Sequence, residues 1–81
     1  MASRTPPRIA APIRARIAFL GIRQQDLADQ LGEKQNWISK RLTGEVKISV
    51  IDLERIASAL GVTLTELYAQ QIDDDDLQRV S

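Results

Sequence analysis

Apolar residues in this chain recur every three or four positions, in short stretches of which the first four run into a glycine, and nowhere do they alternate in twos. From Ala10 to Leu20 the repeat is Ile13, Ile17, Leu20, with Gly21 as the stop. Pro12 falls in the first turn, where its missing N–H costs nothing. A second helix is expected from Gln24 to Leu31, with Leu27, Ala28 and Leu31 on one face and Gly32 as a left-handed cap. A third spans Gln35 to Thr43 and ends at Gly44. Ser49-x-x-Asp52 reads as a capping box opening a fourth helix that runs to Leu60 and buries Leu53, Ile56, Ala57 and Leu60. After Gly61, Thr63-x-x-Glu66 opens a short fifth helix, Leu64 to Gln70. The pattern predicts an all-α, compact five-helix domain over 9–72. It is preceded by a flexible arm over 1–8 (MASRTPPR) and followed by an acidic tail over 73–81.

The second and third helices are eight or nine residues long and separated by Gly32-Glu33-Lys34. Two short helices joined by about three residues with a glycine are the signature of a DNA-binding helix-turn-helix. Ala28 suits a close crossing that a larger side chain would open. On a helical wheel Gln35, Asn36, Ser39, Lys40 and Thr43 share one polar sector, while Ile38 and Leu42 point away from it. Paired amides at the start of a helix can meet the N6/N7 edge of adenine bidentately, and a lysine one turn on can reach guanine or a phosphate. A helix face that is merely solvated more often carries Glu/Lys pairs.

Composition narrows the chemistry. There is no cysteine and no histidine, which removes disulfides, thiolate metal sites and the commonest general base and zinc ligand. No catalytic group, cofactor or metal site is expected. The Asp73–Asp76 run reads as a solvated tail, since consecutive carboxylates converge poorly on one ion. No apolar stretch reaches the roughly 20 residues of a membrane span, so a cytoplasmic location is expected. The formal charge is zero, yet residues 1–50 carry nine basic and four acidic groups (+5) and residues 51–81 two basic and seven acidic (−5). A basic body with an acidic tail is compatible with a nucleic-acid partner.

Three stretches make the chain resemble the Cro/repressor family, with its lambda-repressor-like fold: Ile22 to Ala28 (IRQQDLA), Gly32 to Gly44 (GEKQNWISKRLTG) and Leu53 to Leu64 (LERIASALGVTL). The likeness spans residues 13–68, and the Trp-Ile-Ser-Lys-Arg-Leu segment resembles actinobacterial and phage regulators. It implies base reading by Gln35, Asn36, Ser39 and Lys40. It also implies backbone contacts from Gln24 and from the loop carrying Thr43, Gly44 and Lys47. Arg23, Lys34 and Trp37 join that backbone set, and Arg4 and Arg8 form either a minor-groove arm or an untethered end. For Trp37, packing at the core edge ranks ahead of an indole N–H bond to phosphate.

The chain departs from the family at three places. Where many members pair an arginine in helix one with a glutamate in helix three, it has Ile17 and Leu42, which are expected to meet in the core. Arg41 stands where an apolar residue is usual, and is expected to cover the core edge or stack on Trp37. Arg23 replaces a Ser/Thr cap worth about 1 kcal/mol. Arg14 and Arg16 are expected on the solvent side of helix one.

The implied function is a transcriptional regulator binding a double-stranded DNA operator, of repressor or Cro-like type, with a homodimer seam through Ile51, Tyr68 and Ile72. Two alternatives stand beside it. One is an antitoxin that holds a toxin through residues 69–81; the other is an interaction module that has lost DNA binding.

Overall fold

The computed structural model describes residues 6–70. Arg4, Ile72 and the Asp73–Asp76 run lie outside the described residues. Four helices, α1 (Ala10–Leu20), α2 (Gln24–Leu31), α3 (Gln35–Thr43) and α4 (Val50–Leu60), are followed by α5, the helical residues 64–70, and there is no strand among the described residues.

Local signals set the helix ends. Before α1, the Pro7 carbonyl accepts the Ala10 N–H at 2.9 Å and the Arg8 carbonyl accepts that of Ala11 at 3.3 Å, so Pro7 and Arg8 form a turn that brings Ile9 into the core. Pro12 is buried in the first turn. At the end of α2, Gly32 adopts φ +71°; its N–H reaches the Asp29 carbonyl at 3.1 Å and the Glu33 N–H reaches that of Ala28 at 2.9 Å. No atom lies within 4 Å of the place a Cβ would occupy, so conformation rather than space selects glycine here. Both expected capping boxes form. Ser49 Oγ accepts the Asp52 N–H at 3.0 Å, while the Asp52 carboxylate accepts the Ser49 N–H at 3.3 Å. Thr63 and Glu66 exchange the same pair of bonds at 3.1 and 3.3 Å.

α2 sits at the centre, packed on α3 and α4, and α1 closes the other side against the same two helices. Ile13, Leu27, Ala28, Ile38, Leu42, Ile56 and Leu60 are almost wholly enclosed, and Ile17 joins them in one apolar cluster with no buried polar side chain among the described residues. Leu20 departs from its periodic expectation and is 40% exposed. The chain reverses at Gly21, and Ile22 folds back onto the cluster beyond it, the apolar contact that accompanies such a helix end.

Ile17 and Leu42 therefore stand in the core without a charge between them. Leu42→Glu would bury a carboxylate with no cation at position 17, and should cost about 3–5 kcal/mol. Leu42→Met should cost less than about 1.5 kcal/mol. Urea denaturation of the two variants measures the difference, and a well-tolerated glutamate would show that this side of the core admits water.

Candidate nucleic-acid interface

The first helix of the motif begins at Arg23, in extended backbone and with no side-chain cap. Asp26 compensates in part. Its carboxylate accepts the Arg23 N–H at 2.8 Å and pairs with the guanidinium at 3.0 Å, which holds the Asp26 carboxyl below the usual range. The Arg23 guanidinium is thus tied along its own helix rather than extended from it, although the pair is open to solvent. Gln24 is half-buried, and Gln25 donates to Asp29 at 2.8 Å.

α3 starts after Lys34, again in extended backbone without a side-chain cap. Gln35 and Asn36 are exposed at its first turn, Ser39 and Lys40 are half-buried, and Thr43 is exposed at the end. Asn36, Lys40 and Thr43 point away from Ile38 and Leu42, with Ser39 flanking them, whereas Gln35 stands seven residues before Leu42, towards the core by direction, and is exposed at the open first turn. The loop after α3 is anchored by the Lys40 carbonyl, which accepts the Thr43 hydroxyl at 3.2 Å and the Val46 N–H at 3.1 Å. Gly44 takes φ +88° within that turn, and Lys47 is exposed beyond it. One groove brings Arg8 together with Gly44, Val46, Lys47, Leu53 and Tyr68, so the arm position nearest the body lies beside the loop expected to hold the DNA backbone.

Behind this edge lies a cluster that the sequence pattern only partly revealed. The Arg41 guanidinium stacks on the Trp37 ring at 4.0 Å from its centroid, donates through Nε to Asp52 at 3.1 Å, and donates through a terminal nitrogen to the Trp37 carbonyl at 3.0 Å. Arg41 and Asp52 are each more than four-fifths buried. Arg55, one turn along α4, lies 5.3 Å from the same ring, donates to the Leu31 carbonyl at 2.7 Å and pairs with Glu33 at 3.3 Å. Stacking on Trp37 is one of the two placements expected for Arg41; Arg55 has no sequence signal beyond its place one turn after Asp52. Trp37 is half-buried and packs on the core edge. Arg16 corrects its expected solvent position. It is half-buried, passes 4.9 Å from the Phe19 ring and donates to the Leu60 carbonyl at 3.2 Å, satisfying the end of α4. Arg14 is exposed, as expected.

Burial pushes the Asp52 carboxyl up, but the bonds from Arg41 and Ser49 together outweigh it and hold the group below its ordinary value. A lowered carboxyl pKa contributes stability that is present above the unfolded value, about 3.9, and is lost as pH falls through the folded one. Asp52→Asn should therefore destabilise the fold by about 1–3 kcal/mol at pH 7. The gap from the parent should shrink as the pH drops below about 4. Urea curves at pH 7 and in acid check both, and a gap independent of pH would remove the ion pair from the account.

Two short packed helices, with Ala28 buried on the first, a glycine turn between them and an exposed polar edge on the second, define a helix-turn-helix protein. The sequence profile of the helix-turn-helix family matches residues 13–67, and the chain belongs to that family. Membership makes it a DNA-binding transcriptional regulator in class. Among solved structures it is similar to the clp gene regulator ClgR from Corynebacterium glutamicum, at 24% identity and a TM-score of 0.69, covering 90% of this chain and 85% of that one. That likeness shows the shared fold. No curated protein matches the chain.

Proposed function

We propose that the protein is a sequence-specific regulator of the repressor or Cro-like type, which occupies a double-stranded DNA operator with α3 in the major groove. The observation that carries this reading is the division of α3. Ile38 and Leu42 are 1% and 0% exposed, which turns Asn36 and Lys40 outward with Ser39 beside them, and Gln35 is exposed at the open first turn. The amides supply bidentate hydrogen bonding to adenine, and Lys40 reaches a guanine edge or a phosphate. Gln24, Lys34, Thr43, Gly44 and Lys47 flank that edge and hold phosphates, with Arg8 beside them. Such contacts set register without reading sequence. Occupying an operator blocks polymerase without any catalytic group. The segment that the antitoxin alternative rests on, 69–81, lies outside the described residues from position 71 onward.

Ile51 and Tyr68 are 69% and 43% exposed, which suits a two-fold seam between copies on a palindromic site. Such a dimer would read half-sites about one helical turn apart.

Selection of bound sites from random duplex DNA tests both parts. A palindrome supports the dimer, an asymmetric site supports a monomer, and failure to enrich any sequence overturns specific recognition. On the selected site Gln35→Ala should cost about 1–3 kcal/mol and relax discrimination at one position. Lys47→Ala should weaken all sequences alike and reduce the salt slope by about one. Unchanged sequence preference in Gln35→Ala would remove it from the reading edge.

A further inference from the structure

The closest backbone neighbours of α3 are α2 and, less extensively, α1, while α4 shares the apolar cluster with it and is tied to it and to its entering turn by long polar side chains. Two of these are arginines acting at opposite ends of the recognition helix. Arg55 reaches from α4 to the turn that enters α3, through the Leu31 carbonyl and Glu33. Arg41 reaches from the last turn of α3 to Asp52 in the first turn of α4. The Trp37 ring faces both guanidinium groups, at 4.0 and 5.3 Å. Trp37 stands one residue after Asn36 and Arg41 one residue after Lys40, so both are joined directly to the edge assigned to base reading.

Asp52 is itself held by Ser49, since the reciprocal capping box fixes its side chain at the mouth of α4. Resting on the reading of α3 given above, we propose that Arg41, Trp37 and Asp52 are positioning residues for sequence discrimination: the Arg41–Asp52 bridge, stacked on Trp37, sets the tilt of α3 against α4 and so the place of Gln35, Asn36 and Lys40 over the bases. Bidentate base contacts tolerate only small displacements, whereas phosphate contacts through flexible lysines tolerate more. The bridge therefore governs selectivity more than adhesion to DNA.

Arg41→Met and Asp52→Asn change the net charge in opposite directions, which separates geometry from bulk electrostatics. Each variant and the double variant are titrated with the selected duplex and a scrambled duplex at one salt concentration, well below each thermal transition, with helicity checked by circular dichroism. Both single variants should lower the ratio of specific to scrambled affinity by about tenfold, equivalent to losing one bidentate base contact. The double variant should lose no more than either single one. Trp37 is the only tryptophan, and its emission should shift in both singles as the guanidinium leaves the ring.

Folded single variants with the parent's discrimination would overturn the proposal. So would opposite effects of the two singles, additive losses, or an Asp52→Asn emission spectrum identical to the parent's. If Arg41→Met fails to fold, Arg41→Lys keeps a cation but loses the planar fork, and should lose discrimination in the same direction. A parent protein that shows no discrimination would instead overturn the DNA reading itself.

Discussion

Nine residues are too few to hold an α-helix in water, so α3 depends on burying Ile38 and Leu42. Full burial of an Ile or Leu side chain contributes roughly 1.5–3 kcal/mol. None of α1 to α4 exceeds eleven residues, so each is stabilised chiefly by its neighbours. The same burial orients the motif. With two positions one turn apart committed to the core, the remaining faces of α3 have their directions set. Asn36 and Lys40 are displayed because Ile38 and Leu42 are not, while Gln35 is displayed because the first turn of the helix is open.

The helix framework was legible because its signals are local. A glycine after each of α1 to α4, a capping box at 49–52 and another at 63–66 act within four residues of the ends they define. The turn spacing and the polar edge of α3 follow from the same short-range periodicity. Leu20 shows where this fails, since the wheel assigns it to the buried face while the chain reversal at Gly21 gives that role to Ile22. The arginines fail for a different reason. Arg16 meets Leu60 across 44 positions and Arg55 meets Glu33 across 22. A flexible cation chooses among partners that only the packed fold brings within reach, so periodicity says little about it. Arg41 was partly legible because Trp37 lies four residues away on the same helix, whereas its partner Asp52 read only as a cap.

The charge arrangement has a consistent physical logic. The Cro/repressor resemblance implies an ion pair between the first and third helices, at the positions held here by Ile17 and Leu42. Both are buried, and an aliphatic pair avoids the desolvation that a charged pair would incur. The electrostatic tie to α3 is found instead at the margin of the core, where Arg41 and Asp52 each retain about a sixth of their side-chain exposure. Partial hydration lowers the desolvation cost there, and the Trp37 face and the Ser49 cap supply further interactions for the two charges. One carboxylate thus both closes the start of α4 and secures the end of α3.

This arrangement also revises what the basic half of the chain can do. Of the cations in residues 1–50, Arg16, Arg23 and Arg41 have their guanidinium groups engaged with protein carbonyls or carboxylates. The charge of +5 is unchanged by this, but these three side chains are held away from a phosphate backbone, and direct contact with it rests more heavily on lysines such as Lys34, Lys40 and Lys47. Nonspecific adhesion grows with the number of phosphates neutralised, whereas base contacts add affinity only on the matching site. A protein that commits arginines to internal bridges gives up some of the first. In the positioning role proposed for it, the Arg41 guanidinium that is withheld from phosphates helps place α3 over the bases, which favours selectivity over general adhesion.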